Sequence, residues 1–148
     1  MQYEQLRAQF ELPSLESLEE FFEFDFENKK NPLRVIRRSM CERVEQFISV
    51  LEGLFHGEAT SASSMHEMEN LSTQDHDRAL RVYRKLMYIL RYGQSVAVTF
   101  KAEDEAKYVN DTYLDWPAIV VDVSYLLNKL KAVWVGQQAK EEEVAYLG

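Results

Sequence analysis

The stretch LRVIRRSMCERVEQFISVLEGLF, residues 33–55, decides the fold class of this chain. Its apolar residues recur every three or four positions, which places them on one face of a helix. Asn31 is a suitable helix cap and Pro32 suits the first helical position, so the sequence predicts a helix that ends near His56 and Gly57. The predicted buried face consists of Leu33, Ile36, Met40, Val44, Phe47, Ile48, Leu51, Leu54 and Phe55.

Two further segments show the same period, residues 73–92 and residues 117–135. Ser72 or Thr73 can cap the first segment, and Pro117 can begin the second. Gly93 either ends the first segment or lets another helix pack closely against it. Shorter helices are predicted at 2–11 and 102–116, whereas the small polar residues of 57–72 predict a surface loop.

These segments predict an all-α fold, an antiparallel bundle of four to five helices that dimerisation could complete. Residues 33–55, 73–92 and 117–135 form its centre. We expect one helical domain over residues 1–136, with residues 1–30 as an acidic, aromatic N-terminal arm packed on the bundle. Residues 137–148 are expected to be a flexible acidic tail.

The composition fits a single globular domain. The chain has 148 residues, of which 46% are hydrophobic and 28% charged, and it contains one cysteine, Cys41. No apolar run approaches the length of a membrane span, and no basic-then-apolar signal opens the chain. We therefore expect a cytoplasmic protein that does not enter a membrane. Cys41 lies beside the apolar stripe of 33–55 and is interpreted as a packing residue.

Charge is distributed unevenly along the chain. The net charge is -8, yet residues 1–27 hold eight acids and one base, while residues 28–91 hold eleven bases and eight acids. Overall acidity argues against general nucleic-acid binding, because affinity for the phosphate backbone comes from lysine and arginine. A basic middle between acidic ends could instead be self-complementary.

The arm contains EEFFEFDFENKKNP, residues 19–32, whose phenylalanines fit two periods. Phe22, Phe24 and Phe26 alternate with acids, as in a strand. Leu15, Leu18, Phe22 and Phe26 instead recur with helical spacing. Because nothing else in the chain offers a sheet to join, the sequence favours a helix over 14–26, with its acids near the basic stretch 29–38. Phe24 then falls on the far side and is the predicted contact with a second subunit or partner.

The stretch RALRVYRKLMYILRY, residues 78–92, carries the second predicted interaction surface. On a helix, its arginines and tyrosines fall opposite the apolar stripe. Such residues are enriched in protein interfaces, and they can also hold phosphate and stack on bases. A solvated helix face is the first interpretation, a protein interface the second and nucleic-acid binding the third. The predicted binding residues are Arg81, Arg84, Tyr88, Arg91 and Tyr92.

Arg37 is a charged residue inside an apolar helix face, between Leu33, Met40 and Val44. Burying an unpaired charge is costly. Arg37 therefore either extends to solvent or forms a structural ion pair with a carboxylate of the arm.

Evidence for an enzyme is weaker. Glu42 and Glu45 have the Glu-x-x-Glu spacing that helical nucleotide pyrophosphohydrolases use to bind Mg²⁺ or Mn²⁺, but no second acidic pair follows in the later helices. His66, Glu67, Glu69, Asp75, His76 and Asp77 are ligand types without a recognised metal-site spacing.

The sequence thus predicts a non-enzymatic interaction or regulatory module that acts through protein–protein contacts, as a homodimer, with no cofactor. The alternatives are a metal-dependent carboxylate-bundle hydrolase, with Glu42 and Glu45 as weak metal candidates, and a nucleic-acid-associated accessory protein that uses the face of 78–92.

Overall fold

The structure, a computed structural model, describes residues 2–26, 31–55 and 61–147, with side chains up to residue 135. Within these ranges it contains six helices and no strand. They are α1 (Tyr3–Phe10), α2 (Leu15–Glu19), α3 (Pro32–Glu52), α4 (Ala62–Asn70), α5 (Thr73–Thr99) and α6 (Ala102–Leu147). The predicted all-α class is therefore confirmed.

Helices α3, α5 and α6 pack against one another and enclose the core. Phe55 contacts Tyr83 at one end of the α3–α5 pair, with ring centroids 4.8 Å apart. Arg34 lies over the ring of Phe100 at the other end, so α3 and α5 are antiparallel. Helix α6 returns parallel to α3. The most completely buried core side chains include Trp116, Tyr108, Leu33, Ile36, Met40, Leu51, Leu86, Ile89 and Leu126.

Polar caps fix where the helices begin. The Asn31 side chain accepts a hydrogen bond from the Arg34 backbone N–H at 3.3 Å, and Pro32 occupies the first turn as predicted. The Ser72 hydroxyl caps α5 by accepting from the Asp75 N–H at 3.1 Å. Ser14 caps α2 in the same way, with Ser17 as the donor. These bonds satisfy N–H groups that have no partner inside their own helix.

The helix ends predicted after residues 92, 116 and 135 are wrong. Helix α5 continues through Gly93 to Thr99, because Gly93 is buried at a close helix crossing, as the second interpretation required. The helices predicted at 102–116 and 117–135 are one helix, α6, with Pro117 inside it. Proline removes one helical hydrogen bond, but Trp116 and Ile119 on either side are both buried in the core, which holds the helix together through this point.

The predicted loop at 57–72 is also partly wrong, because α4 occupies Ala62–Asn70. Residues 56–60 lie outside the described residues. The Ser61 hydroxyl caps α4 by accepting from the Ser64 N–H at 3.2 Å. The small serines that indicated a loop therefore include the cap of a short helix.

The predicted helix over 14–26 is wrong beyond its first turn. Helix α2 ends at Glu19, and residues 22–26 are not helical. Phe22 is buried and Phe24 and Phe26 are half-buried, whereas Glu23 and Asp25 are exposed, so the residues alternate as the strand period indicated. The Phe22 ring lies 4.9 Å from that of Trp116, and Ser39 donates a hydrogen bond to the Glu23 carbonyl at 2.7 Å. These extended residues are thus held by contacts with α3 and α6 rather than by pairing with a neighbouring strand.

Helix α1 is held on the side of α6. Asn110 donates a hydrogen bond to the Phe10 carbonyl at 3.2 Å, and Tyr3 donates to the Pro13 carbonyl. Burial raises the pKa of Tyr3 to about 12. The described part of the N-terminal arm, residues 2–26, is therefore in contact with the bundle. None of the described helices combines the length and the apolar character that crossing a membrane would need.

Candidate interaction surface

The face of α6 that points away from the core carries a row of exposed residues, many of them apolar. Leu114 is 76% exposed and Val121 67% exposed, although both belong to the longest helix of the fold. We call this row the outer seam, and it consists of Leu114, Ala118, Val121, Tyr125, Asn128, Ala132 and Val135.

The spacing of the outer seam alternates between four and three residues over three heptads. This spacing is typical of a helix face that packs along a second helix. The buried face of α6, represented by Val109, Trp116 and Val123, lies on the opposite side of the same helix. Helix α6 is therefore patterned for contact on two opposite sides, and the described part of the bundle covers one of them.

Four polar contacts between α5 and α6 run beside the outer seam. Lys85 pairs with Asp115 at 2.8 Å, and Arg78 with Asp122 at 3.8 Å. The Tyr92 hydroxyl donates to Asp111 at 3.1 Å, and the Tyr125 hydroxyl donates to Asp75 at 3.0 Å. Because the two helices are antiparallel, these pairs form a ladder that fixes how α6 is rotated on α5. That rotation decides which α6 residues face solvent.

Tyr125 is the seam residue that this ladder holds most firmly. Besides its bond to Asp75, its ring lies beneath the Arg78 guanidinium, 3.9 Å from the ring centroid. Burial alone would raise the pKa of the Asp75 carboxyl, but hydrogen bonds from Tyr125 and Ser72 outweigh it, and the pKa is lowered. Tyr125 therefore presents a fixed aromatic surface at the middle of the seam.

The predicted binding face on α5 is divided between solvent and the bundle. Arg81, Arg84, Tyr88 and Arg91 are exposed, whereas Tyr92 turns toward α6. Burial, followed by the bond to Asp111, raises the pKa of Tyr92. A hollow of about 650 Å³ lies between α5 and α6 here, and its lining includes Arg91 and Lys107 as well as Asp104 and Asp111. These charges of both signs do not form a continuous basic surface.

Phe24 packs within its own chain. Its ring stacks on Phe26 with centroids 5.8 Å apart and lies 6.3 Å from the ring of Phe22. Phe24 was predicted to contact a partner because it would lie on the far side of a helix over residues 14–26. That helix ends at Glu19, so Phe24 does not lie on such a face. Residues 29 and 30 of the basic stretch lie outside the described residues.

Arg37 is buried, with 5% of its surface exposed, so it does not extend to solvent, and its charge acts on the Glu105 carboxyl of α6. The ion pair between Arg37 and a carboxylate of the arm stays a prediction. Glu105 is 1% exposed. Among the described residues neither of its oxygens has a hydrogen-bond partner, and the same holds for Arg37 Nε. Burial raises the pKa of Glu105, against the attraction of Arg37, Arg34 and Arg38. Such groups carry a high cost unless something satisfies them.

Sequence reasoning missed Glu105. Acids are common in the first turn of a helix and three occur here, so its type gave no signal. Its position did carry one. Glu105 lies four residues before Val109, on the apolar face of the same helix, just as Arg37 lies on the apolar face of α3.

The weak metal candidates do not converge. Glu42 and Glu45 are both exposed on α3, and over the described residues no three histidine, cysteine, aspartate or glutamate side chains could hold one ion. Glu42 does border a hollow of about 320 Å³ with Glu19, Glu20 and Glu23. The histidines have other contacts, since His66 lies 5.0 Å from the Trp134 ring and His76 Nε2 lies 2.9 Å from the Met68 carbonyl oxygen.

Comparisons with known proteins identify no relative. No protein-family model, no curated protein and no solved structure matches this chain.

Proposed function

We propose that this protein is a non-enzymatic helical module that acts through protein–protein contacts, and that the outer seam of α6 is its binding surface. The observation that carries the proposal is the exposure of Leu114, Val121 and Val135 at 76%, 67% and 62% along one helix face. Single exposed apolar residues are ordinary, but a continuous row at heptad spacing marks a site of contact with another helix.

The length of α6 supports the same function. At 1.5 Å per residue its 46 residues span about 69 Å, whereas the 27 residues of α5 span about 40 Å. Helix α6 is therefore much longer than the neighbours that pack against its inner face. A helix of this length offers an extended surface on which a partner helix can lie.

The alternative functions have less support. The arginines of α5 are exposed, which suits nucleic-acid binding, but the adjacent hollow is lined by Asp104 and Asp111. Acidic groups at such a position oppose a phosphate backbone. For a metal-dependent hydrolase, Glu42 and Glu45 would need facing carboxylates, and the described residues supply no ligand group of three.

Photo-crosslinking in the cells that make the protein tests the proposal. A photoreactive phenylalanine analogue replaces Val121 in one variant and Val98 in the other. Val98 is the matched control, because it is an 81% exposed valine on a different helix. We expect a discrete protein adduct from position 121 and none from position 98. Equal adducts from both positions, or none from 121, would contradict an interaction function centred on the seam.

A further inference from the structure

We infer that the partner on the outer seam is a second copy of this chain, with the two α6 helices antiparallel. The inference rests on the proposed function and adds the identity and direction of the partner. It follows from the order of residues along the seam, from the charges beside it, and from the way Tyr125 is held.

The seam is complementary to its own reverse. When two copies are aligned antiparallel about a point between residues 126 and 127, Val121 of one copy faces Ala132 of the other. Ala118 likewise faces Val135, and Tyr125 faces Asn128. Each larger side chain thus meets a smaller or polar one, which allows close packing without overlap. All of these residues except the half-covered Tyr125 are well exposed in the single chain.

The charges beside the seam are ordered in the same sense. Asp115 and Asp122, which pair with Lys85 and Arg78 of α5 but stay partly exposed, flank its first half, whereas Lys129 and Lys131 flank its second half. Antiparallel copies place Asp122 of one chain beside Lys129 of the other, twice about the two-fold axis. A parallel pair would bring the two acid-flanked halves together and the two lysine-flanked halves together. Charges at the edge of a helix pair select orientation in this way.

The ladder between α5 and α6 prepares this contact. Asp122 is held by Arg78, and Tyr125 by Asp75 and Arg78, so the centre of the seam is ordered before a partner arrives. Ordering side chains in advance reduces the entropy lost on association. Asn128 at the centre of the row favours one register, because shifting the pair would bury its amide against an apolar residue.

The first experiment measures molar mass by light scattering at about 100 µM, where mass action favours association. We expect twice the chain mass of 17.4 kDa for the wild type and for Val98→Lys. Val121→Lys, with its helix content checked by circular dichroism, should have the mass of one chain. A folded wild type that stays at one chain mass overturns self-pairing. A dimer that Val121→Lys leaves intact overturns self-pairing through the seam, because the two copies then associate through another surface.

The second experiment determines direction by disulfide formation under oxidised glutathione. Val121→Cys and Ala132→Cys are tested separately and mixed, with the wild type, which has Cys41 alone, as the blank. Antiparallel packing predicts that the mixture forms a disulfide between the two variants, while neither forms one with itself. Efficient self-linkage of each variant would show a parallel pair and overturn the inferred direction.

The photo-crosslink separates failure of this inference from failure of the proposed function. An adduct from position 121 with twice the chain mass supports self-pairing. An adduct of the chain with a different protein overturns self-pairing and leaves the interaction function in place.

Discussion

A methyl group placed on Gly93 would lie 2.5 Å from the sulfur of Cys41, a distance that two unbonded atoms do not tolerate. The close crossing of α3 and α5 therefore leaves no room for a side chain at position 93. The Tyr108 ring of α6 closes the same space, with its hydroxyl 3.3 Å from the Cys41 sulfur and atoms 3.2 Å from the position of a Gly93 Cβ. All three long helices thus meet at one glycine.

Gly93→Ala should lower the free energy of unfolding by about 1–3 kcal/mol, because the added methyl forces the helices apart. The measurement is urea denaturation. The double variant with Cys41→Ala should lose less than the two single changes together, since removing the sulfur relieves the overlap. Gly53→Ala is the control. Its Cβ would meet the Ser64 hydroxyl at 3.0 Å, which the serine can avoid by rotating, so a change within about 0.5 kcal/mol is expected.

The buried Glu105 carboxyl should make folding stability depend on pH. Because burial raises its pKa in the folded chain, the unfolded chain ionises first as the pH increases. The contribution of Glu105 to stability is therefore largest in acid and is lost as the pH rises through the folded pKa. Glu105→Gln removes this dependence, so the unfolding free energy of the wild type minus that of the variant should fall with increasing pH.

The control for this experiment is Glu103→Gln, which removes an exposed carboxyl from the same turn of α6. The unfolding free energy of the wild type minus that of Glu103→Gln should change less with pH. A wild-type minus Glu105→Gln difference that rises with pH would mean that attraction to Arg37 exceeds the cost of burial.

The aromatic arm should contribute to stability through Phe22 more than through Phe24. Phe22→Ala removes a 3% exposed ring beside Trp116 and should cost about 3–5 kcal/mol. Phe24→Ala removes a half-buried ring and should cost about 1–2 kcal/mol. Tyr88→Ala, at a 62% exposed position, should change stability by about 0.5 kcal/mol or less. Tryptophan fluorescence in urea provides the measurement, and equal losses for Phe22 and Phe24 would contradict the alternating burial.

Glu11 offers a position where stability can be gained. It ends α1 in the left-handed region, with φ 55° and ψ 47°, and its N–H still bonds to the Arg7 carbonyl. Glycine adopts this conformation without the cost that a side chain adds. Glu11→Gly should raise the free energy of unfolding by about 0.5–1 kcal/mol. Glu11→Ala should give no gain, and a loss in the glycine variant would show that the glutamate side chain itself stabilises the turn.

The helices that could be predicted are those whose apolar residues repeat with helical spacing. Helix α3 was evident because Met40, Val44 and Leu51 repeat on one face, and its start was evident from Asn31 and Pro32. The ends were harder, because Gly93 and Pro117 usually interrupt helices. What keeps them helical is tertiary, namely the close approach of Cys41 to Gly93 and the burial of Trp116 beside Pro117.

The candidate surface was harder to predict than the fold. Leu114 and Val121 stand out as apolar, but Ala118, Asn128 and Ala132 give little hydrophobic signal, so the heptad row appears only when the buried face of α6 is known. The α5 residues were chosen because arginine and tyrosine are conspicuous in a sequence. Tyr92 shows the weakness of that choice, since its hydroxyl is used inside the chain by Asp111.

Cys41 is the single thiol of the chain and lies at the crossing of α3, α5 and α6. Burial raises its pKa, so little of the reactive thiolate exists while the helices stay together. Because Cys41 is also half-buried, chemical labelling of this sulfur should be slower than labelling of a fully exposed thiol, and faster under conditions that loosen the crossing. The labelling rate of Cys41, followed by mass spectrometry, can therefore report on the packing of the three helices without any introduced probe.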